Sequence, residues 1–342
     1  MSSLSGYGII FFFIGAVVGF YISVPLHELG HLVCGRLSGF SFLSFQLINW
    51  VWSKDESGSI KLAKGARLRG ILGQCLMEPC KDERNFHFVL YNLGGGLVNI
   101  ITGVMLLVPF FFVHNDFVRS ILWGMGAISI ILGAVNLIPL REAAMQNDGT
   151  NIKEASKSDR AKHGFYMMFK VNADLSKGKR IQDFARDDFV VDEGVDLSNY
   201  FVAQIVMFRS SQLEESGAYG QSYNELLRLD TEKLPPLYSA QVTLALMYHE
   251  LIHFSAEISK QRARARIGAK AEDKVFQKFL RMKHPGLMPY QATKIAFLDG
   301  DKVKAQELIT QTRDLMSSLR NPGMEYSVTL MLENLESRMR EE

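Results

Sequence analysis

The sequence predicts a mainly α-helical, polytopic membrane protein with three transmembrane helices, a small β-hairpin at the membrane surface and a carboxy-terminal soluble helical domain. Three observations lead there. Long uncharged apolar runs crowd the chain up to about Leu140. A charged, helix-patterned half follows from Arg141 onward. Between the first two runs lies a segment whose apolar residues alternate rather than recur at helical spacing. The mean hydropathy of +0.04 averages two unlike halves. At 342 residues there is room for two domains, at 1–152 and 153–342. A net charge of +2 argues against a nucleic-acid-binding protein, which concentrates basic residues on one face. Cys34, Cys75 and Cys80 do not form a secreted disulfide framework and read as reduced thiols.

The first span is expected over about 7–37. No charged side chain occurs from Ser5 to Leu26, enough to cross a bilayer as a helix. The start lacks a basic region and a small-residue cleavage site, so a retained helix is expected rather than a cleaved signal peptide. Pro25 removes one backbone hydrogen bond and is expected to kink the helix. The alternating Gly39 to Leu47 stretch, the turn signal Ser57-Gly58-Ser59 and a return strand from Ile60 predict a hairpin over about 39–64, with Trp50 and Trp52 as interfacial anchors. Further spans are expected over about 88–113 and 119–140, joined by a tight turn. Eight Lys and Arg lie between Leu32 and His87, against Arg119 alone between the later spans. The positive-inside rule then puts the amino terminus outside and the carboxy-terminal domain in the cytoplasm, in what is expected to be a bacterial plasma membrane.

Beyond Gly149, helical periodicity appears in Phe201 to Phe208, Val242 to Ile258 and Ala305 to Leu319. Breaks fall at Gly217, Pro235-Pro236, Pro285-Gly286 and Pro322-Gly323. Helical hairpins are expected, and Ala292, Ala296, Asp299-Gly300-Asp301 and Ala305 faintly resemble a tetratricopeptide repeat. Such a domain suits a protein partner or self-association.

The chemistry concentrates in His27-Glu28-Leu29-Gly30-His31, at the end of the first span. On a helix, this spacing puts two imidazoles on one face, one turn apart, where they can share a zinc ion while Glu28 reaches a water. An ionisable residue in a span is costly unless it is paired or bound to metal. A third ligand is required, and Asp148 is the candidate because it follows the third span on the return side. A second His-Glu-x-x-His, His249-Glu250-Leu251-Ile252-His253, lies in the soluble half. Its helix is expected to carry surface or partly buried histidines; a membrane-anchored soluble zincin, with Glu272 as third ligand, is the alternative.

His27-Glu28-Leu29-Gly30-His31, then Gly94-Gly95-Gly96-Leu97-Val98-Asn99, then Asn136-Leu137-Ile138-Pro139 with Asn147-Asp148-Gly149, resembles the site-2 protease family of intramembrane zinc metalloproteases over about residues 9–152. This chain has Gly95-Gly96 where the family commonly has Gly-Pro, and a longer gap from Asn136 to Asp148. The resemblance implies a three-helix core, Zn2+ held by His27, His31 and Asp148, and Glu28 as general base. It also implies that Asn99, Asn136, Gly95 and Gly96 contact an unwound substrate segment. The implied activity is endopeptidase cleavage of transmembrane or membrane-associated peptides. The rival is a non-catalytic membrane scaffold that binds a partner through the helical domain.

Overall fold

A computed structural model of the chain describes residues 6–54, 59–64, 72–140, 146–254, 257–316 and 321–342. The chain forms two compact units, Met1–Lys153 and Glu154–Glu342. The described residues are mainly helical, with thirteen α-helices and one small antiparallel sheet.

The first unit is built on α1 (Gly6–Leu37), α2 (Phe88–Leu107) and α3 (Asp116–Leu137). All three are long and apolar enough to cross a membrane. They leave large apolar side chains such as Phe13, Tyr21, Met105 and Ile131 exposed, a surface that suits lipid rather than water. Small residues bring their backbones together, as in membrane bundles generally. Gly30 of α1 and Gly94 of α2 face each other so closely that a Cβ on either would strike the other's carbonyl oxygen. Ser129 of α3 donates to the carbonyl of Asn99 on α2 at 2.8 Å, a hydrogen bond between spans. Pro25 lies inside α1, which continues past it to Leu37.

Between α1 and α2 the expected hairpin is a four-stranded sheet: β1 (Ser41–Leu47), β2 (Trp50–Lys54), β3 (Ile60–Lys64) and β4 (Gly73–Glu78), in the order β3-β2-β1-β4. One expectation is corrected. β3 is not the return strand of β1, because it pairs with β2, while β1 and β2 close tightly through Ile48-Asn49. Cys75 lies on β4, which pairs with β1 around a register shift at Phe42/Ser44. The tight turn escapes sequence reading because Ile48 adopts φ 55°, a left-handed conformation that β-branched residues disfavour. Trp50 is half exposed, whereas Trp52 packs against Phe45 across the strand pair.

α4 (Asp148–Ala155) carries the chain into the second unit, which contains α5 (Asp159–Ser176), α6 (Tyr200–Glu215), α7 (Tyr219–Leu227), α8 (Pro236–Ile252), α9 (Glu257–Ala269), α10 (Lys274–Phe279), α11 (Met288–Phe297), α12 (Lys302–Met316) and α13 (Pro322–Glu341). Local signals set the ends. Ser158 and Asn199 cap α5 and α6, Pro236 and Pro322 open α8 and α13, and Gly217 with φ 78° follows the end of α6. The core gathers Leu244, Met247, Tyr248, Phe276, Ile309 and Leu332. Tyr248 is buried at both ends, its hydroxyl donating to the Met331 carbonyl at 2.9 Å. The periodic stretch Val242 to Ile258 is not one helix: α8 stops at Ile252 and α9 begins at Glu257.

Candidate metal centre

His27 and His31 are one turn apart on α1, and both rings turn towards the start of α4. Their Nε2 atoms are 3.1 Å apart, and Asp148 Oδ2 lies 3.4 Å from that of His27 and 3.2 Å from that of His31. These three residues form the one group of possible metal ligands in such close convergence among the described residues. Three donors at these separations define a near-equilateral triangle whose centre is about 1.9 Å from each corner, close to the roughly 2.0–2.2 Å at which zinc sits from nitrogen and oxygen.

The proton positions favour a cation at the same point. His31 Nδ1 donates to the Tyr91 carbonyl at 2.9 Å, so its proton is on Nδ1 and the Nε2 lone pair faces inward. His27 Nε2 receives the Asn136 amide at 2.9 Å, which likewise leaves it unprotonated. Two lone pairs and a carboxylate oxygen within 3.4 Å repel one another unless positive charge lies between them. The residues present therefore fit a zinc ion in donor type, number and spacing.

Several elements hold this arrangement. Asn147 donates to the carbonyls of Val135 and Ile138 at 2.8 and 2.7 Å, bracing the open end of α3. Its own Oδ1 accepts from Thr150 N at 2.9 Å and from Thr150 Oγ1 at 2.7 Å, which opens α4. Asp148 is thus pinned between a capped helix end and a capped helix start. Gly149 packs on the Leu137 carbonyl with no space for a Cβ. On the opposite side Gly95 leaves room for the His27 ring, since a Cβ there would lie 2.6 Å from Nε2. Tyr91 adds a second support: its ring packs against His31 at 5.0 Å, and its hydroxyl donates to the Cys75 carbonyl at 3.3 Å. Tyr91 escaped sequence reading, and Asn147, quoted in the Asn147-Asp148-Gly149 motif, was given no role of its own although it stands directly before the ligand it positions.

The residues expected to meet substrate are packed around the centre. Asn136 Nδ2 contacts Asp148 Oδ2 at 2.5 Å as well as His27. The Asn99 amide nitrogen is 3.5 Å from His27 Nδ1, and its buried Oδ1 has no partner. Turning that amide end for end gives His27 Nδ1–H an acceptor, the arrangement a metal-binding histidine needs. Gly95 faces His27, and Gly96 faces Leu137 of α3. Glu28 lies under β4, where its carboxylate accepts from the Cys75 backbone N–H and its Cγ would be 2.7 Å from a Cβ placed on Gly73.

The second motif differs from expectation. His249 and Glu250 are each only 1% exposed, so these are core groups of α8 rather than surface ones. Glu250 is engaged: Tyr223 donates to it at 2.8 Å and Arg266 of α9 pairs with it at 2.9 Å. The acid beside the two imidazoles is Glu214 of α6.

No protein-family model, curated protein or solved structure matches this chain.

Proposed function

We propose that the protein is a zinc-dependent intramembrane endopeptidase of site-2 protease type. It would cleave transmembrane or membrane-associated peptides, with the amino terminus outside and the centre and second unit towards the cytoplasm. The observation that carries this reading is the convergence of His27, His31 and Asp148 at one end of three helices able to cross a membrane, with Glu28 on the next position of α1. Soluble metal sites do not need such a bundle, and a carboxylate at its edge costs several kcal/mol without a cation.

His27, His31 and Asp148 would hold the zinc ion, which when bound would supply Lewis-acid activation of water and of the scissile carbonyl. Glu28 takes a proton from water and passes it to the departing amine, as a general base and then a general acid. Asn99 keeps the His27 ring in register, Asn136 holds the Asp148 carboxylate, and the Tyr91 carbonyl fixes the His31 tautomer. A helical substrate must unwind first, because its carbonyls are engaged within the helix. β4, which runs over Glu28, offers an extended backbone beside the reacting groups. A soluble zincin built on the second motif is disfavoured, since Glu250 is bound to Arg266 and Tyr223 and is not free to act as base.

The test is Glu28→Gln in the full-length protein, assayed on a membrane-embedded reporter beside Glu250→Gln. Cleavage is expected to fall by about 10²–10⁴-fold in the first, with zinc retained, and to persist in the second. Full cleavage by Glu28→Gln refutes the proposed role of Glu28, and cleavage absent from every form including the wild type favours the scaffold.

A further inference from the structure

The second unit holds a cleft that the proposed peptidase does not use. Its volume is about 360 Å³, within the roughly 300–1,000 Å³ typical of small-molecule sites. Arg262 and Arg266 of α9 line it, with Lys270 just past the end of that helix. Thr243 of α8 lines it as well, together with Thr231 and Glu232 from the segment before α8.

The three cations are spaced four residues apart, so they share one side of the helix. Ala265 and Ala269 stand between them and also line the cleft, and such short side chains keep it open. Like charges at this spacing weaken a helix. A solvated face relieves the repulsion by interleaving acids with bases. Here, among the described residues, only Arg266 of the three has a carboxylate partner. That partner is Glu250, 1% exposed, which accepts from Arg266 Nη2 at 2.9 Å and from Nε at 3.4 Å. The buried acid fixes the guanidinium in place and leaves its Nη1 donors unengaged.

The same cleft carries acceptors. Thr243 Oγ1 donates to the Ser239 carbonyl at 2.7 Å, so only its lone pairs remain for a ligand. Glu232 makes no ion pair among the described residues. Three cations against the carboxylates of Glu250 and Glu232 leave one net positive charge, which suits a single phosphate group better than a polyphosphate.

We propose that this cleft binds a phosphate ester on a polyhydroxyl scaffold, the chemistry shared by a sugar phosphate and a glycerophosphate lipid headgroup. Arg262, Arg266 and Lys270 hold the phosphate through charge-assisted hydrogen bonds. Hydroxyls of the scaffold donate to Thr243 Oγ1 and to Glu232. None of these residues belongs to the candidate metal centre, so the test needs no proteolysis.

Isothermal titration calorimetry of the full chain, in an uncharged polyoxyethylene detergent, provides that test. Glucose 6-phosphate is expected to bind the wild type, glucose is expected not to, and inorganic phosphate should bind about tenfold more weakly. Arg262→Gln and Lys270→Gln should each weaken glucose 6-phosphate binding by about tenfold or more, the loss of one hydrogen bond to a charged group. Arg264→Gln is the control: it removes the same charge from an exposed position on the other side of α9 and should bind as the wild type. Circular dichroism confirms that each variant is folded. A second arm titrates glycerophosphoglycerol, the headgroup of phosphatidylglycerol, and the tighter of the two ligands identifies the source. No binding of either to the wild type overturns the proposal, as does equal weakening by Arg264→Gln. Inorganic phosphate binding as tightly as glucose 6-phosphate overturns the polyhydroxyl assignment.

Discussion

Asp148 Oδ2 stands 3.2 Å from His31 Nε2, although one belongs to the segment after the third span and the other to the first. The relationship depends on a carboxylate, since an amide in its place brings a donor towards the metal. Asp148→Asn is therefore expected to weaken zinc binding on the order of 100-fold or more, beyond the loss seen for outer-shell residues. Competition with a calibrated chelator measures it, and unchanged affinity would remove Asp148 from the ligand set.

Asn147 touches no ligand side chain, yet it braces α3 and opens α4. Asn147→Ala strips two carbonyls of their donors and Thr150 of its acceptors. Zinc affinity should drop by about 10–100-fold with Asp148 still present. A purely local role would lower the melting temperature and leave affinity untouched.

Gly95 and Gly268 make a matched pair. A Cβ on Gly95 meets the His27 ring between packed helices, whereas one on Gly268 of α9 meets nothing within 4 Å. Gly95→Ala should cost about 1–3 kcal/mol from overpacking and release zinc. Gly268→Ala should bind zinc normally and unfold slightly later, through better helix propensity. Equal zinc contents in the two variants would contradict the packing argument.

Ile48 has a left-handed backbone, costing roughly 1–2 kcal/mol for an L-residue with a Cβ. Ile48→Gly relieves this strain but adds chain entropy of about 0.5–1 kcal/mol. The expected balance is a small gain, seen as slower proteolysis of the sheet; faster proteolysis would show that the side chain contributes more than the strain costs.

His284 lies between α10 and α11, with its Nδ1 accepting from Gly286 N–H at 3.2 Å. Burial lowers its pKa below the ordinary imidazole value. The unfolded chain then takes up the proton first as pH falls, so this contribution to stability is complete above about 6.5 and is lost on acidification below it. Denaturant unfolding between pH 7 and 5 should fall more steeply for the wild type than for His284→Gln. Parallel curves would discount the effect.

The membrane centre was legible in the sequence because each of its parts carries a local signal. The imidazoles share a helix face through their spacing, the spans declare themselves by lacking charge, and an acid beside a span needs a reason. β4 was not legible, since Gly73 to Glu78 is short and its pairing with β1 skips a long intervening stretch. The Ile48-Asn49 turn hid behind a residue type that turns avoid. Glu214 was missed for another reason. Nothing on α8 points to an acid on α6, and Glu272, the nearer choice in sequence, has no contact with the pair among the described interactions.

Because His27 and His31 lie on the first candidate span and Asp148 just past the third, a nascent chain has no complete candidate metal centre until its third helix has been made. Under the proposed peptidase reading, such a chain would stay inert while it is threaded beside other newly made chains. Its own synthesis would then act as the safety catch.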